Sequence, residues 1–356
     1  MRAREGVEPG RGRAGTTGRS GPPGAPSPAP LWEAIVGQQA AVTLLRRALT
    51  AERVAHAYAF VGPPGVGRRL TALAFAQACL CSRQGCGTCV ACRRVAAGQH
   101  PDCHLIAPLP PKDNPRGVAT LRIDQVRELE HWAALAPHEG PRKVFILDDA
   151  DRMTLPTAQA LLKTLEEPPA RTVLVLIVAN PRALPPTVLS RCQPVRFRPL
   201  GEGEAVGVLT ARGAAADTAR LLARLCRGQI GLALGADLEA VRARRAAALA
   251  LTEVSRPELA GHLDELAPDR AAVAAYLETY WLWYRDAVCL TAGGDPALLV
   301  NIDRREELAS LTRRLTLPGL TAALAAIKES WLALDGNVSP RLALEHALLA
   351  LAPPAA

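Results

Sequence analysis

No run of about eighteen uninterrupted apolar residues occurs in this 356-residue chain, so no membrane span is expected. No apolar segment follows the first arginines, so a secretory signal is not expected either, and the expected location is the cytoplasm. Aromatic side chains are scarce, at 4% of residues, and much of that content falls in one stretch: Tyr276, Tyr280, Trp281, Trp283 and Tyr284. A base-stacking platform is one use of such a group; packing of a helical core is the stronger expectation. The first thirty residues lack almost any apolar side chain that could offset the entropy of ordering, and 1–30 is expected to be a disordered tail.

What is present suits a globular, multidomain protein, because 49% hydrophobic content over this length fills two or three cores. Of the net charge of +8, Arg2, Arg4, Arg11, Arg13 and Arg19 less Glu5 and Glu8 contribute +3, leaving +5 for the remainder. That excess permits nucleic acid as a neighbour without demanding it, and a scatter of solvated arginines explains it equally well.

From Leu31 onward, helical and strand patterns alternate. Apolar residues recur at helical spacing over 34–51, HAYAFV (56–61) reads as a buried strand, and a helix is expected over 68–81. A further amphipathic helix over 122–135 has Ile123, Val126 and Leu129 on one face. KVFIL (143–147) and TVLVLIVA (172–179) are apolar strands, separated by a helix over 155–167 that Pro168 and Pro169 stop. Unbroken apolar strands between helices imply a parallel sheet covered on both faces, hence an α/β nucleotide-binding domain over 31–200. Strand signals then fade, and a small helical domain over 201–247 and a larger all-α one over 248–356 are expected.

GPPGVG (62–67), after a strand and before a helix, has the context in which backbone N–H groups cradle a phosphate; Gly62, Gly65 and Gly67 are its glycines. A working P-loop continues with a lysine that bridges the terminal phosphates and a hydroxyl that binds magnesium, whereas here Arg68 and Arg69 follow. Arg68 keeps the charge in a bulkier planar group. Arg69 replaces the metal-binding hydroxyl with a cation, and at about 4 Å it would repel a divalent ion by roughly 8 kcal/mol at an effective dielectric near 20. Hydrolysis is not expected here, and whether the cradle holds ATP, ADP or nothing is left open.

Asp148 and Asp149 close the second strand, where related ATPases use a first acid for magnesium and a second to polarise water. Beside the altered loop they read as remnants of that pair, with helix capping or solvation as the plainer explanation. Five cysteines fall within fourteen residues, Cys79, Cys81, Cys86, Cys89 and Cys92, a clustering that in a reducing compartment points to metal. Cys86, Cys89 and Cys92 form a tight knuckle that Cys81 can complete as a structural zinc tetrahedron. Cys79 is a competing fourth ligand, and an iron–sulfur cluster or free thiols are the alternatives. Ser190-Arg191-Cys192 follows the central strand, Asn180 and a proline-rich turn. An arginine there suits insertion into a neighbour's nucleotide site, against the plainer reading of a surface ion pair.

GPPGVG, CGTCVAC, VFILDDAD, ALLKTLEEPP and SRC, in this order, resemble the clamp-loader branch of the AAA+ family, over nearly everything from Leu31 onward. The resemblance implies an AAA+ domain, a helical lid and a helical collar that builds a ring of five subunits. It implies motor (gamma/tau) and delta subunits as partners, and a sliding clamp and primed DNA reached through the complex. Arg68-Arg69, the glycine of GQIG (228–231) where the motor's lid carries a sensor arginine, and the ending NVSPRLALEHALL favour the branch's non-hydrolysing member. Carried over, Arg191 would be an arginine finger acting in trans, with Ser190 and Cys192 fixing its loop, while Asn180 would belong to the degenerate nucleotide site. Two other classes stay open on the residues: a competent ATPase in which Arg68 replaces the lysine, and a zinc-bearing nucleic-acid-binding protein that uses this body as a scaffold.

Overall fold

The computed structural model describes residues 31–111, 118–234, 238–254, 263, 266–267, 269–336 and 338–351. The tail expected over 1–30 and Asn337 of the ending lie outside them. Five strands, β1 (Ala57–Val61), β2 (Cys103–Ile106), β3 (Lys143–Leu147), β4 (Thr172–Val178) and β5 (Gln193–Arg196), form one parallel sheet in the order β2-β3-β4-β1-β5. The central position of β4 explains its composition: all seven residues are buried, because helices cover both of its faces.

Helices α1 (Gln39–Thr50) and α2 (Arg68–Leu80), with α3 (Val90–Ala96), pack on one face through Leu45, Phe75 and Val95. Helices α4 (Ile123–Ala134), α5 (Leu155–Glu166) and α6 (Pro186–Leu189) pack on the other through Leu129, Leu161 and Val188. Thr154 caps α5 by accepting from the Thr157 N–H, and Pro156 sits in the first turn where no N–H is needed. The edge strands β2 and β5 escaped the sequence reading. CHLI is only half-buried and QPVR carries Pro194 with one buried residue, so neither shows an apolar run.

Beyond β5 the described structure is helical. Helices α7 (Glu202–Ala211), α8 (Ala216–Leu225) and α9 (Ile230–Ala233) close over Ala205, Leu209, Leu222 and Ile230. A separate apolar cluster joins the end of α10 (Leu238–Ala250) to α11 (Arg270–Thr291), α12 (Arg305–Arg314), α13 (Leu317–Asp335) and α14 (Pro340–Leu351). The aromatic stretch lies in α11. Tyr280, Trp283 and Tyr284 are buried, Tyr276 and Trp281 pack against them, and the Tyr280 hydroxyl donates to the Ala248 carbonyl at 3.0 Å. These rings are core, not a stacking surface.

Candidate nucleotide cradle, rim arginine and metal centre

Parallel strands present their carboxyl ends at one edge, where such sheets take their ligands. The glycine loop follows β1 there without a spacer. A Cβ at Gly62 would lie 2.6 Å from the Phe197 carbonyl oxygen, so the chain leaving β5 can pass only a glycine. Gly65 and Gly67 adopt φ of +72° and +93°, turning the backbone so that α2 opens at Arg68 with its first N–H groups toward the loop. The buried Gln38 side chain staples the loop: its Nε2 donates to the carbonyls of Val66 at 3.2 Å and Arg198 at 2.7 Å.

The α9 segment rests on this loop. The Gly231 N–H donates to the Gly65 carbonyl at 2.7 Å, and a Cβ at 231 would meet the Gly65 Cα at 2.7 Å. Glycine at the sensor position is therefore a steric requirement of this packing. Between loop, β3 end and α7–α9 lies a cavity of about 460 Å³, within the roughly 300–1,000 Å³ of small-molecule sites. Ile35, Val36, Leu200, Val208, Ile230 and Leu234 make its walls apolar, and Arg68, Arg69, Arg212, Asp148 and Asp149 carry its charge.

Arg69 reaches across the cradle, with Nη1 3.2 Å from Asp148 Oδ2. Asp148, the acid at the end of β3, is thus paired with a cation of its own chain. Burial pushes the Asp148 carboxyl up from its ordinary value, and Arg69 offsets this only in part. Asp149 has a left-handed backbone at φ 44° and lies 3.8 Å from Arg152 Nε. Arg68 is 5% exposed and lines the same cavity, and its Nη1 has no hydrogen-bond partner among the described residues.

Asn180 stands at the end of β4, but its Oδ1 accepts from the Arg182 N–H at 3.1 Å and it does not line the cavity. Asp151 braces that corner by accepting from the N–H groups of Ala179 at 3.0 Å and Asn180 at 3.1 Å. Spacing alone gave no sign of this role for the last acid of DDAD.

Ser190, Arg191 and Cys192 join α6 to β5, apart from the cradle. Arg191 Nη2 lies 2.6 Å from Glu166 Oε1, Nη1 donates to the Thr187 carbonyl at 2.9 Å, and the side chain is 36% exposed. Ser190 Oγ donates to the same carbonyl at 3.1 Å. Cys192 is buried with its thiol pushed up to about 12 by desolvation, so it packs the turn and is no nucleophile. Glu166, from the LEEPP run, is a partner that no sequence spacing indicated.

Between α2 and α3 the knuckle turns through left-handed Gln84, Gly85 and Gly87. The sulfurs of Cys81, Cys86, Cys89 and Cys92 all lie within 4.8 Å of one another, with Cys81 3.7 Å from Cys86 and 3.6 Å from Cys89. Zinc–thiolate bonds of about 2.3 Å set tetrahedral sulfur separations near 3.8 Å, so this donor set fits a metal ion. A hydrogen bond from Thr88 Oγ1 holds the Cys86 thiol down to about 5. Cys79 is not in the group; it is buried in α2 and burial pushes its thiol up to about 12.

A phosphate loop after an inner strand, an acid pair two strands away and a helical segment folded back on the loop define an AAA+ fold. Residues 37–201 match the family model described as DNA polymerase III, delta subunit. The chain is 29% identical over 325 residues to DNA polymerase III subunit delta' of Bacillus subtilis, covering 88% of this chain and 96% of that protein. It is 43% identical over 142 residues to subunit delta' of Pseudomonas aeruginosa, across 39% of this chain and 42% of that one. To subunit tau of Bacillus subtilis it is 32% identical over 180 residues, 49% of this chain and 30% of that protein. The chain spans less than half of these last two relatives. The chain is thus similar to a delta-prime subunit of bacterial DNA polymerase III over most of its length.

Proposed function

We propose that this chain is the delta-prime member of a DNA polymerase III clamp loader, assisting ATP hydrolysis in a neighbouring subunit without performing it. The observation that carries this reading is the Arg69–Asp148 pair, which sets a cation of the chain itself against the acid of its own cradle. A motor-type ATPase would need that acid free for magnesium. Arg191, 36% exposed and held by a surface carboxylate and the Thr187 carbonyl, is available to a neighbour's γ-phosphate, with Ser190 and Cys192 shaping its turn. The apolar clusters support an AAA+ domain over 31–200, a lid over 201–247 and a collar over 248–356. In this reading the partners are gamma/tau and delta subunits in a pentamer that loads a sliding clamp on primed DNA in the cytoplasm. No helix among the described residues is long and apolar enough to cross a membrane.

The test is a ring reconstituted with Arg191→Ala. Assembly should persist, and single-turnover hydrolysis at the adjoining site should fall by about 10³-fold, the low end for arginine fingers. Unchanged hydrolysis in an assembled ring would falsify the reading. The four thiols hold zinc as a closed structural site, and Cys86→Ser should carry well below one equivalent of zinc by metal analysis.

A further inference from the structure

We propose that the layer formed by α1, α2 and the metal knuckle binds the sugar–phosphate backbone of duplex DNA without regard to sequence. This surface is separate from the rim arginine, and its use needs no partner subunit. The starting point is an uneven distribution of charge. Residues 1–99 hold thirteen arginines, no lysine and four acids, a formal +9, so the rest of the chain sums to −1. Residues 31–99 alone carry +6, and four metal-bound thiolates around a divalent ion would lower this to +4 without changing its sign.

Folding gathers these charges on one side. Helices α1, α2 and α3 cover one face of the sheet, whereas α6, which leads to Arg191, packs on the other. Arg46, Arg47 and Arg53 are exposed along α1 and just beyond it, and Arg83 and Arg93 are exposed on the knuckle. The two groups meet at Trp32: the Arg46 guanidinium carbon lies 5.7 Å from its ring centre, and its Nε1 is 3.2 Å from where a Cβ on Gly85 would stand. None of the five arginines faces a carboxylate among the described residues. Elsewhere Arg198, Arg220, Arg242 and Arg314, also exposed, each lie 2.8–3.2 Å from one. The first thirty residues add +3 and join this layer at Leu31, next to Trp32.

The chemistry of the layer selects its partner. Guanidinium forks match phosphate oxygens bidentately, where lysine would act as a point charge. A protein partner would need an apolar centre, but over 32–99 the exposed large apolar side chains are Val36 and Val90 alone. Trp32 is buried beneath Arg46, so no exposed ring stands ready to stack on an unpaired base, which favours a duplex over a single strand. Contacts to phosphate alone carry no sequence information.

Fluorescence anisotropy of the unmodified full chain with a labelled duplex should show saturable binding at about 50 mM salt, equal within about threefold for a second sequence and at least about tenfold weaker at about 200 mM. No saturation by about 100 µM protein at low salt, or a preference of about tenfold for one sequence, overturns the proposal. Changing Arg46, Arg47, Arg83 and Arg93 together to Gln should weaken binding at least about thirtyfold and flatten the salt slope by about three. Arg47→Gln with Arg83→Gln alters only side chains that carry no hydrogen bond or ion pair among the described residues, and should still cost at least about fivefold. Removing as much charge elsewhere, at Arg198, Arg220, Arg242 and Arg314, should change affinity less than about threefold. An equal loss there would make binding a matter of net charge and overturn the assignment to this layer. So would loss of binding on changing Arg2, Arg4, Arg11, Arg13 and Arg19 to Gln while the four-site variant still binds. Displacement of the duplex by polyglutamate at equal charge concentration would assign the layer to an acidic protein instead.

Discussion

Two arginine–carboxylate pairs divide the chemistry of this chain. Arg69 and Asp148 are 3.2 Å apart with the acid side chain 16% exposed, and Arg191 and Glu166 are 2.6 Å apart with the acid 51% exposed. The shorter contact is the looser one in function. Both of its members are solvated, so it is worth roughly 0.2–1 kcal/mol and yields to a more highly charged partner. In the cradle the acid is largely buried beside a cavity with apolar walls, where burial disfavours its charge and Arg69 opposes that effect. The arginines run the other way, Arg69 being 58% exposed and Arg191 36%, so the difference between the two pairs lies in the burial of the acid.

The contrast is broken most severely at Arg191. Arg191→Lys retains the charge but loses the planar fork, and single-turnover hydrolysis at the adjoining site should still fall by about 10²-fold or more. Full activity with lysine would reduce Arg191 to a point charge and undo the argument from its geometry. A smaller effect is expected in the cradle. Arg68→Lys with Arg69→Thr restores the ordinary loop ending, and magnesium-dependent affinity for ATP should rise by about tenfold. Turnover should stay absent, because Gly231 packs too tightly on Gly65 for a sensor arginine. Robust ATPase from this double variant alone would mean that only the loop had been disabled.

Glu166→Gln should release Arg191 and raise ring turnover by no more than about fivefold, the equivalent of one surface ion pair. A fall in turnover would instead make Glu166 a positioning partner that aims the arginine.

Much of this was legible in the residues and some was not. Central strands announced themselves because burial on both faces demands an unbroken apolar run, as in TVLVLIV. Edge strands did not, since Gln193 to Arg196 has a single buried side chain. The thiol cluster was readable from local separation, and three-dimensional position groups Cys81, not Cys79, with the other three. The missing lysine and hydroxyl were visible at once, but that Arg69 pairs with Asp148 depends on a contact across seventy-nine positions that no spacing encodes. The same holds for Gln38 on Arg198, Gly231 on Gly65 and Glu166 on Arg191. Local chemistry identified the groups, and tertiary packing assigned their partners.

The smallest expected effect is the most diagnostic of the locked pair. Burial holds the Asp148 carboxyl above its ordinary pKa despite Arg69, so the native state binds that proton more tightly than the unfolded chain does. The sign follows from linkage: stability from this group is present below the unfolded pKa and is lost as pH rises through the folded one. Asp148→Asn removes the titration while keeping shape and an acceptor oxygen. Chemical denaturation should therefore show the variant gaining on the unmodified chain as pH rises through the carboxylate range, ending within about 1 kcal/mol of it at pH 7. If the variant is instead destabilised by several kcal/mol at pH 7, the pair is a net stabiliser. Arg69 would then serve the fold first, with the blocked metal position as its consequence.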